Sequence, residues 1–386
     1  MAIHLDHNAT TPLRPEVREL MLDLLDEGLG NASSVHATGR RSRAVIDEAR
    51  ERVAGALEVH EDEVVFTSGG TESNNLALFG GHAALSAAAG ASARVISSRI
   101  EHAAVLEPVR QLESAGAPTT LVVNDAQGRI DPEEVAAAAG PEWPAIVSLM
   151  AANNEVGSVT DLQALRNALG RRTGLLLHTD AVQLLGKRPS TDLLSCVDLA
   201  SLSAHKVGGP VGVGLLLRKE GARLVPRAFG GSQEAELRPG TENPAAIGAA
   251  ALAIELAVRE TEAFFTRSKA LLEGFWAELQ AALPDVHLNG PPLSSPDRLP
   301  NTINVSLPSA GDARMLVARL DLAGLEVSAG SACASGSLEP SHVLEALGHE
   351  RARAVSALRI STGRTTDARE LSTAVDTLRI TLGEAT

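Results

Sequence analysis

The sequence predicts an α/β protein whose large domain is built on a mostly parallel seven-stranded sheet, with a smaller α+β domain toward the C-terminus. Three observations predict it. Short apolar runs recur around Val64, Val95, Leu121, Ile146, Leu176, Leu199 and Val213; Ala/Leu/Glu/Arg-rich helical stretches such as 161–172 separate them; and 386 residues suffice for two domains with a substantial core. Consecutive apolar positions mark strands buried on both faces, and a helix between successive strands is the crossover that parallel pairing needs.

Taken in order, residues 1–14 are expected to pack with the small domain, 15–255 to form the large, cofactor-binding domain, and 256–386 to form the small one. The first apolar run, Glu63–Phe66, enters Thr67-Ser-Gly-Gly-Thr-Glu-Ser-Asn-Asn75, where paired glycines precede a helix start. The backbone amides of Gly70 and Thr71, with the positive end of the helix dipole, suit a phosphate dianion. Alone, this turn would be an ordinary strand-to-helix connection. A second run, Gly174–His178, ends at Asp180, a carboxylate able to keep a pyridinium nitrogen protonated. Gln183, three residues on, is placed to bond the phenolic oxygen of such a ring. His178 shares a strand face with Asp180, and either orients that carboxylate or simply packs.

A third run, Leu199–Ser203, leads into Ser203-Ala-His-Lys206. A lysine among apolar residues is a candidate for bonding a carbonyl carbon, because burial or a nearby cation lowers its pKa from ~10.4 and frees the lone pair. Ser203 and His205 offer further donors to the phosphate. Taken together, Gly70, Thr71, Asp180 and Lys206 point to pyridoxal phosphate, bound at the carboxyl ends of the strands. From Asn243 to about Ala282 the chain is rich in Ala, Leu and Glu with no proline after Pro244, and predicts one long helix into the small domain. Residues 289–300 form a turn-rich surface loop. Cys333 sits in Ser328-Ala-Gly-Ser-Ala-Cys-Ala-Ser-Gly-Ser-Leu-Glu-Pro340, a run of small residues expected to be a mobile loop with an accessible thiol, whose pKa a helix starting near Pro340 would help to lower. Cys196, before the Leu199 strand, reads as a core residue.

Leu5-Asp-His-Asn-Ala-Thr-Thr-Pro12, Phe66–Asn75, Asn153-Asn-Glu-Val-Gly157, Ser203–Lys206, Arg238-Pro-Gly-Thr-Glu-Asn243 and Ser328–Ser335 resemble, in order, the motifs of the cysteine desulfurases, in the branch serving nitrogen fixation and iron-sulfur cluster assembly. The match runs from about residue 3 to residue 364. The resemblance implies a fold-type I pyridoxal-phosphate transferase that takes sulfur from L-cysteine, releases alanine and leaves a persulfide on Cys333. It implies Lys206, Cys333 and His102 as catalytic, with His102 stacked on the cofactor ring. His102 read without the resemblance is a solvent-facing helix-start histidine. The resemblance also implies Arg359 as clamp of the substrate carboxylate, with Asn154 bonding that carboxylate or the ring oxygen. Thr241 would reach the phosphate of a neighbouring subunit, which implies a homodimer. Sulfur would pass to an acceptor such as an iron-sulfur scaffold, or into tRNA thiolation. A selenocysteine lyase, or another pyridoxal-phosphate aminotransferase or lyase on this fold, would use nearly the same residues. Three positions depart from the family pattern: Gly208 stands for a frequent aromatic, Val211 for a common lysine and Ala32 for a frequent proline.

The net charge of −14 argues against nucleic acid as a standing partner. Two distant cysteines suit a reducing cytoplasm. No apolar run reaches the ~18 residues a membrane span needs, and Met1-Ala-Ile-His-Leu-Asp lacks the regions of a signal peptide. No metal ligands are assigned.

Overall fold

The computed structural model describes residues 2–141, 143–189, 191, 195–330 and 340–383. Its strands, in chain order, are β1 (Ile3–His4), β2 (Val64–Thr67), β3 (Arg94–Ser98), β4 (Thr119–Val122), β5 (Ala145–Ser148), β6 (Leu175–Asp180), β7 (Leu199–Ser203), β8 (Gly214–Arg218), β9 (His287–Asn289), β10 (Thr302–Ser306), β11 (Leu325–Glu326) and β12 (Ala357–Ser361). Strands β2 to β8 form a seven-stranded sheet in the order β2-β8-β7-β6-β5-β3-β4. All its pairings are parallel except those of β8, which is antiparallel to β2 and β7. A single 3-10 turn, Ala204–Lys206, lies between β7 and β8, with no crossover helix, so the chain must return antiparallel.

The period of two divides each strand between two cores. Val64 and Phe66 of β2, Leu175 and Leu177 of β6, and Leu215 and Leu217 of β8 face one cluster, with the helices Ala37–Leu57, Leu162–Leu169 and Pro244–Arg259. Val65, Leu176 and Leu216 face the opposite cluster, with the helical run that starts at Gly70 and the helix Ala103–Ser114. Burial on both faces is why these strands read as unbroken apolar runs rather than alternating ones.

A second, antiparallel sheet has the order β12-β10-β9. Its core includes Phe275, Ile303, Val305, Leu316, Leu358, Ile360 and Leu378, together with Leu5 from the other end of the chain. The segment holding Leu5 links both sheets. β1 pairs in parallel with β11, and Asp6 bridges Ser361. Farther on, Thr11 N–H donates to the His205 carbonyl at 3.1 Å and Arg14 N–H to the Gly208 carbonyl at 3.0 Å. Gly208 has φ 84°, and a Cβ there would stand 2.5 Å from Arg14 Cγ, so the arginine stem lies where a side chain at 208 would begin.

One element differs from the sequence expectation. The single helix expected over 243–282 is two helices, Pro244–Arg259 and Thr261–Ala282. Thr261 Oγ1 donates to the Ala257 carbonyl at 2.9 Å, a back-bond of the kind that bends helices, and the Glu260 carboxylate at the break pairs with Arg14 at 2.9 Å. Neither glycine nor proline marks the spot. Among the described residues, no helix is long and apolar enough to cross a membrane.

Candidate active site

The carboxyl ends of β2, β3, β5, β6 and β7 open on one cavity of about 270 Å³, which Asn8 and Ala9 of the N-terminal segment and Arg359 of β12 also line. This is where an open parallel sheet binds ligands, since loops leaving neighbouring strands diverge there. Gly70, Thr71, His102 and Asn154 line it, as do Asp180, Gln183, Ser203, His205 and Lys206. Thr241 does not; it is exposed and borders a separate cavity beside Glu234 and Arg238. Cys333 lies outside the described residues. A larger cavity, about 460 Å³, adjoins Lys206 along Leu13, Leu185, Val207 and Phe264, and has neither the Asp180 carboxylate nor the Gly70–Thr71 turn in its walls.

Lys206 Nζ donates to the carbonyls of Asn8 and Ala9, each at 2.7 Å. Asp180, 7% exposed, receives Asn74 Nδ2 on Oδ2 at 2.7 Å and the Val182 N–H on Oδ1 at 3.0 Å. His178 does not orient this carboxylate. Its ring nitrogens are taken by Ser148 Oγ at 2.8 Å and Ser201 Oγ at 3.0 Å, and burial lowers its pKa to about 3, so it packs as a neutral ring. The orienting residue is Asn74, which sequence reasoning missed although its motif was in view.

His102 caps the helix Ala103–Ser114, its Nδ1 accepting the Ala104 N–H at 3.1 Å. The neutral ring therefore carries its proton on Nε2. Burial, foremost, lowers its pKa from the ordinary 6.5, the nearby Asp180 works against this, and Lys206 adds to it. The helix-start reading and the cavity reading thus describe the same residue. His205 Nδ1 lies 3.1 Å from Thr10 Oγ1, and burial followed by the charges of Lys206 and Lys187 brings its pKa down to about 4.

Gly69 has φ 158° and ψ 176°, backbone that essentially only glycine adopts. It turns β2 into the helical run at Gly70, where a Cβ would meet Val182 Cγ2 at 2.7 Å. Arg359, 1% exposed, donates through Nη2 to Asp6 Oδ1 at 2.5 Å and through Nη1 to the Asn154 carbonyl at 3.3 Å, while its Nε has no partner among the described residues. Nothing in the apolar run around Arg359 signalled Asp6, which lies 353 residues away. Gln183 Nε2 donates to the Asn8 carbonyl at 2.9 Å, and its Oε1 accepts from Lys187. Beneath the site, Glu101 is fully buried. Its Oε1 accepts Ser98 Oγ at 2.7 Å and the Met150 N–H at 3.0 Å, its Oε2 has no partner among the described residues, and burial, with Asp180 adding to it, raises its pKa to about 8.

These residues fit pyridoxal phosphate: a backbone turn kept free of side chains at Gly69–Gly70, a doubly held carboxylate at a strand end, and a lysine amine in one cavity. Cys196, in contrast, is a 5% exposed residue whose thiol meets Gln163 Oε1 at 2.7 Å, away from this cavity.

The family described as Aminotransferase class-V matches residues 3–373. A protein of Dictyoglomus turgidum described as cysteine desulfurase IscS is 43% identical over 97% of this chain and 93% of its own length. A solved structure described as a NIFS-like protein superposes with a TM-score of 0.90 at 33% identity, covering 100% of both chains. Another, described as SspA in complex with cysteine, gives a TM-score of 0.77 at 31% identity over 93% of this chain and 98% of its own.

Proposed function

The chain belongs to the aminotransferase class-V family, and on that premise we propose that it is a pyridoxal-phosphate-dependent cysteine desulfurase. The observation that carries the reading is the meeting of Lys206, the held carboxylate of Asp180 and the buried guanidinium of Arg359 around one cavity. Pyridoxal phosphate, when bound, supplies a carbonyl carbon for the lysine amine and a ring that accepts electron density. Asp180 would keep the proton on the ring nitrogen, with Asn74 holding Asp180 in place. Gln183, through its second N–H, would donate to the ring's phenolic oxygen. Gly70, Thr71, Ser203 and His205 would hold the phosphate, and Thr241 of a second copy would complete that site; the exposure of Thr241, away from the cavity of its own chain, supports a homodimer.

Arg359 and Asn154 fix the carboxylate of L-cysteine, and Lys206 Nζ takes the Cα proton. His102, its pKa lowered chiefly by burial, would border the ring and relay a proton. The Cys333 thiolate attacks the substrate sulfur, a new S–S bond forms, and the carbon–sulfur bond breaks with its electron pair left on the carbon skeleton. That skeleton takes up protons and leaves as alanine, and Cys333 carries the persulfide to an acceptor protein such as an iron-sulfur scaffold. We read residues 15–255 as the cofactor-binding domain and 256–386 as the small domain, with 1–14 running from the small-domain core at Leu5 to the cofactor-binding domain at Thr11 and Arg14, and the cytoplasm as the place of action.

The test is alanine and sulfide release from L-cysteine, with dithiothreitol and pyridoxal phosphate, by the wild type and by Cys333→Ala. Release by the wild type and near-complete loss in the variant is the expected result. Equal release by both would move the assignment to another lyase or transferase of this family.

A further inference from the structure

Lys187 is 4% exposed and takes no part in the chemistry assigned above. It follows Gln183 by four residues in a turn where the Lys187 N–H meets the Leu184 carbonyl at 3.0 Å and the Arg188 N–H the same carbonyl at 3.3 Å, so both side chains lie on one face. Lys187 Nζ donates to Gln183 Oε1 and, at 3.1 Å, to Asn8 Oδ1. Two carboxamide oxygens repel when brought together, and an amine between them lets both face inward. The amide nitrogens are then forced outward. Gln183 Nε2 meets the Asn8 carbonyl, and Asn8 Nδ2 meets the Asn154 carbonyl at 3.1 Å and Thr302 Oγ1 at 2.8 Å. The same Asn8 carbonyl receives Lys206.

The charges around Lys187 agree with this arrangement. Burial first, then Lys206 and Arg359, hold its pKa well below 10.5. In either protonation state the amine has at least two N–H donors, enough for the two oxygens it meets.

We propose that Lys187 is a positioning residue that fixes the amides of Gln183 and Asn8, so that the second N–H of Gln183 is presented to the phenolic oxygen of the cofactor and the Asn8 carbonyl stays in register with Lys206. The proposal rests on the reading of Gln183 given above. A donor at that oxygen stabilises its negative charge, so the proton shared with the Lys206 nitrogen is held less tightly. Losing the donor raises the pH at which that proton leaves.

The experiment titrates the visible absorption of the cofactor-loaded protein with pH, for the wild type, Lys187→Met, Gln183→Ala and the double variant. Methionine keeps the length and removes the donors. The titration midpoint should rise by roughly half to one pH unit in each single variant, a three- to tenfold change in proton affinity, and no further in the double variant. Lys187→Gln, which keeps two N–H donors, should bring the midpoint back toward the wild type. Lys187→Leu repeats the comparison should the methionine variant not fold. A midpoint unmoved in Lys187→Met but raised in Gln183→Ala overturns the proposal and leaves the reading of Gln183 intact. A midpoint unmoved in Gln183→Ala overturns the reading of Gln183 and the proposal with it. Additive shifts would show that Lys187 acts on Lys206 directly, and overturn the positioning role.

Discussion

Replacing Glu101 with glutamine should shift stability progressively in favour of the variant as pH rises. The wild-type side chain is fully buried with one oxygen unpartnered, and its pKa stands at about 8 against 4.5 for an ordinary glutamate. For an acid whose folded pKa is raised, the stabilising contribution is complete below the unfolded pKa and is lost as pH rises toward the folded one. Each pH unit in that window costs about 1.4 kcal/mol, so from pH 5 to pH 8 the wild type gives up about 4 kcal/mol that a non-titrating glutamine keeps. With an unfolding entropy of ~2.1 cal/mol/K per residue, this corresponds to a relative gain in Tm of ~5 °C across the window. At pH 5 the variant should equal or trail the wild type, because its amide nitrogen replaces an oxygen that also lacks a partner. The assay is the Tm of both proteins, saturated with cofactor, at unit steps from pH 5 to pH 9. Contributions shared by both, such as the neutral His178, cancel in the difference. A Tm difference that does not change with pH would refute the buried, protonated Glu101.

Two further substitutions probe the site. Asn74→Ala strips Asp180 Oδ2 of its side-chain donor; a hydrogen bond to a charged group is worth about 1.5–3 kcal/mol, so kcat/KM for cysteine should fall about 10- to 100-fold at saturating cofactor, and an unchanged value would show that Asn74 does not hold the carboxylate. Arg359→Lys keeps the charge beside Asp6 but loses the planar fork, so KM for cysteine should rise about tenfold or more with a smaller change in kcat; steady-state kinetics read the split, and an unaltered KM would remove Arg359 from substrate binding.

Apart from the half-exposed edge strand β4, the strands of the large sheet were legible in the sequence because their burial on both faces leaves the simplest pattern a strand can have, an apolar run. For the same reason Asp180, Lys206 and Thr71 announced themselves: each is a polar residue just where such a run stops. Partnerships were not legible. Asp6 with Arg359, Asn8 with Lys187 and Asn74 with Asp180 join residues whose spacing along the chain carries no periodic signal. The break at Glu260 escaped notice because a threonine hydroxyl and a distant arginine make it, where sequence reading looks for glycine or proline. His178 misled through a sound rule. Sharing a strand face with Asp180 placed it nearby, but two serines on β5 and β7 satisfied its ring first.

The N-terminal segment gives this protein an order of assembly opposite to its order of synthesis. His4 meets Glu326 322 residues later, and Asp6 meets Arg359 353 residues later. On the ribosome the carbonyls of Asn8 and Ala9 emerge long before β11 and β12, the strands that hold their segment. The large sheet, whose strands lie between residues 64 and 218, can pair before then. Its lysine would be present while the backbone that seats it is still a loose tether, and closing so long a loop is the slowest kind of contact to make. Competence to take up the cofactor correctly should therefore appear late in folding, as a step separable from formation of the sheet.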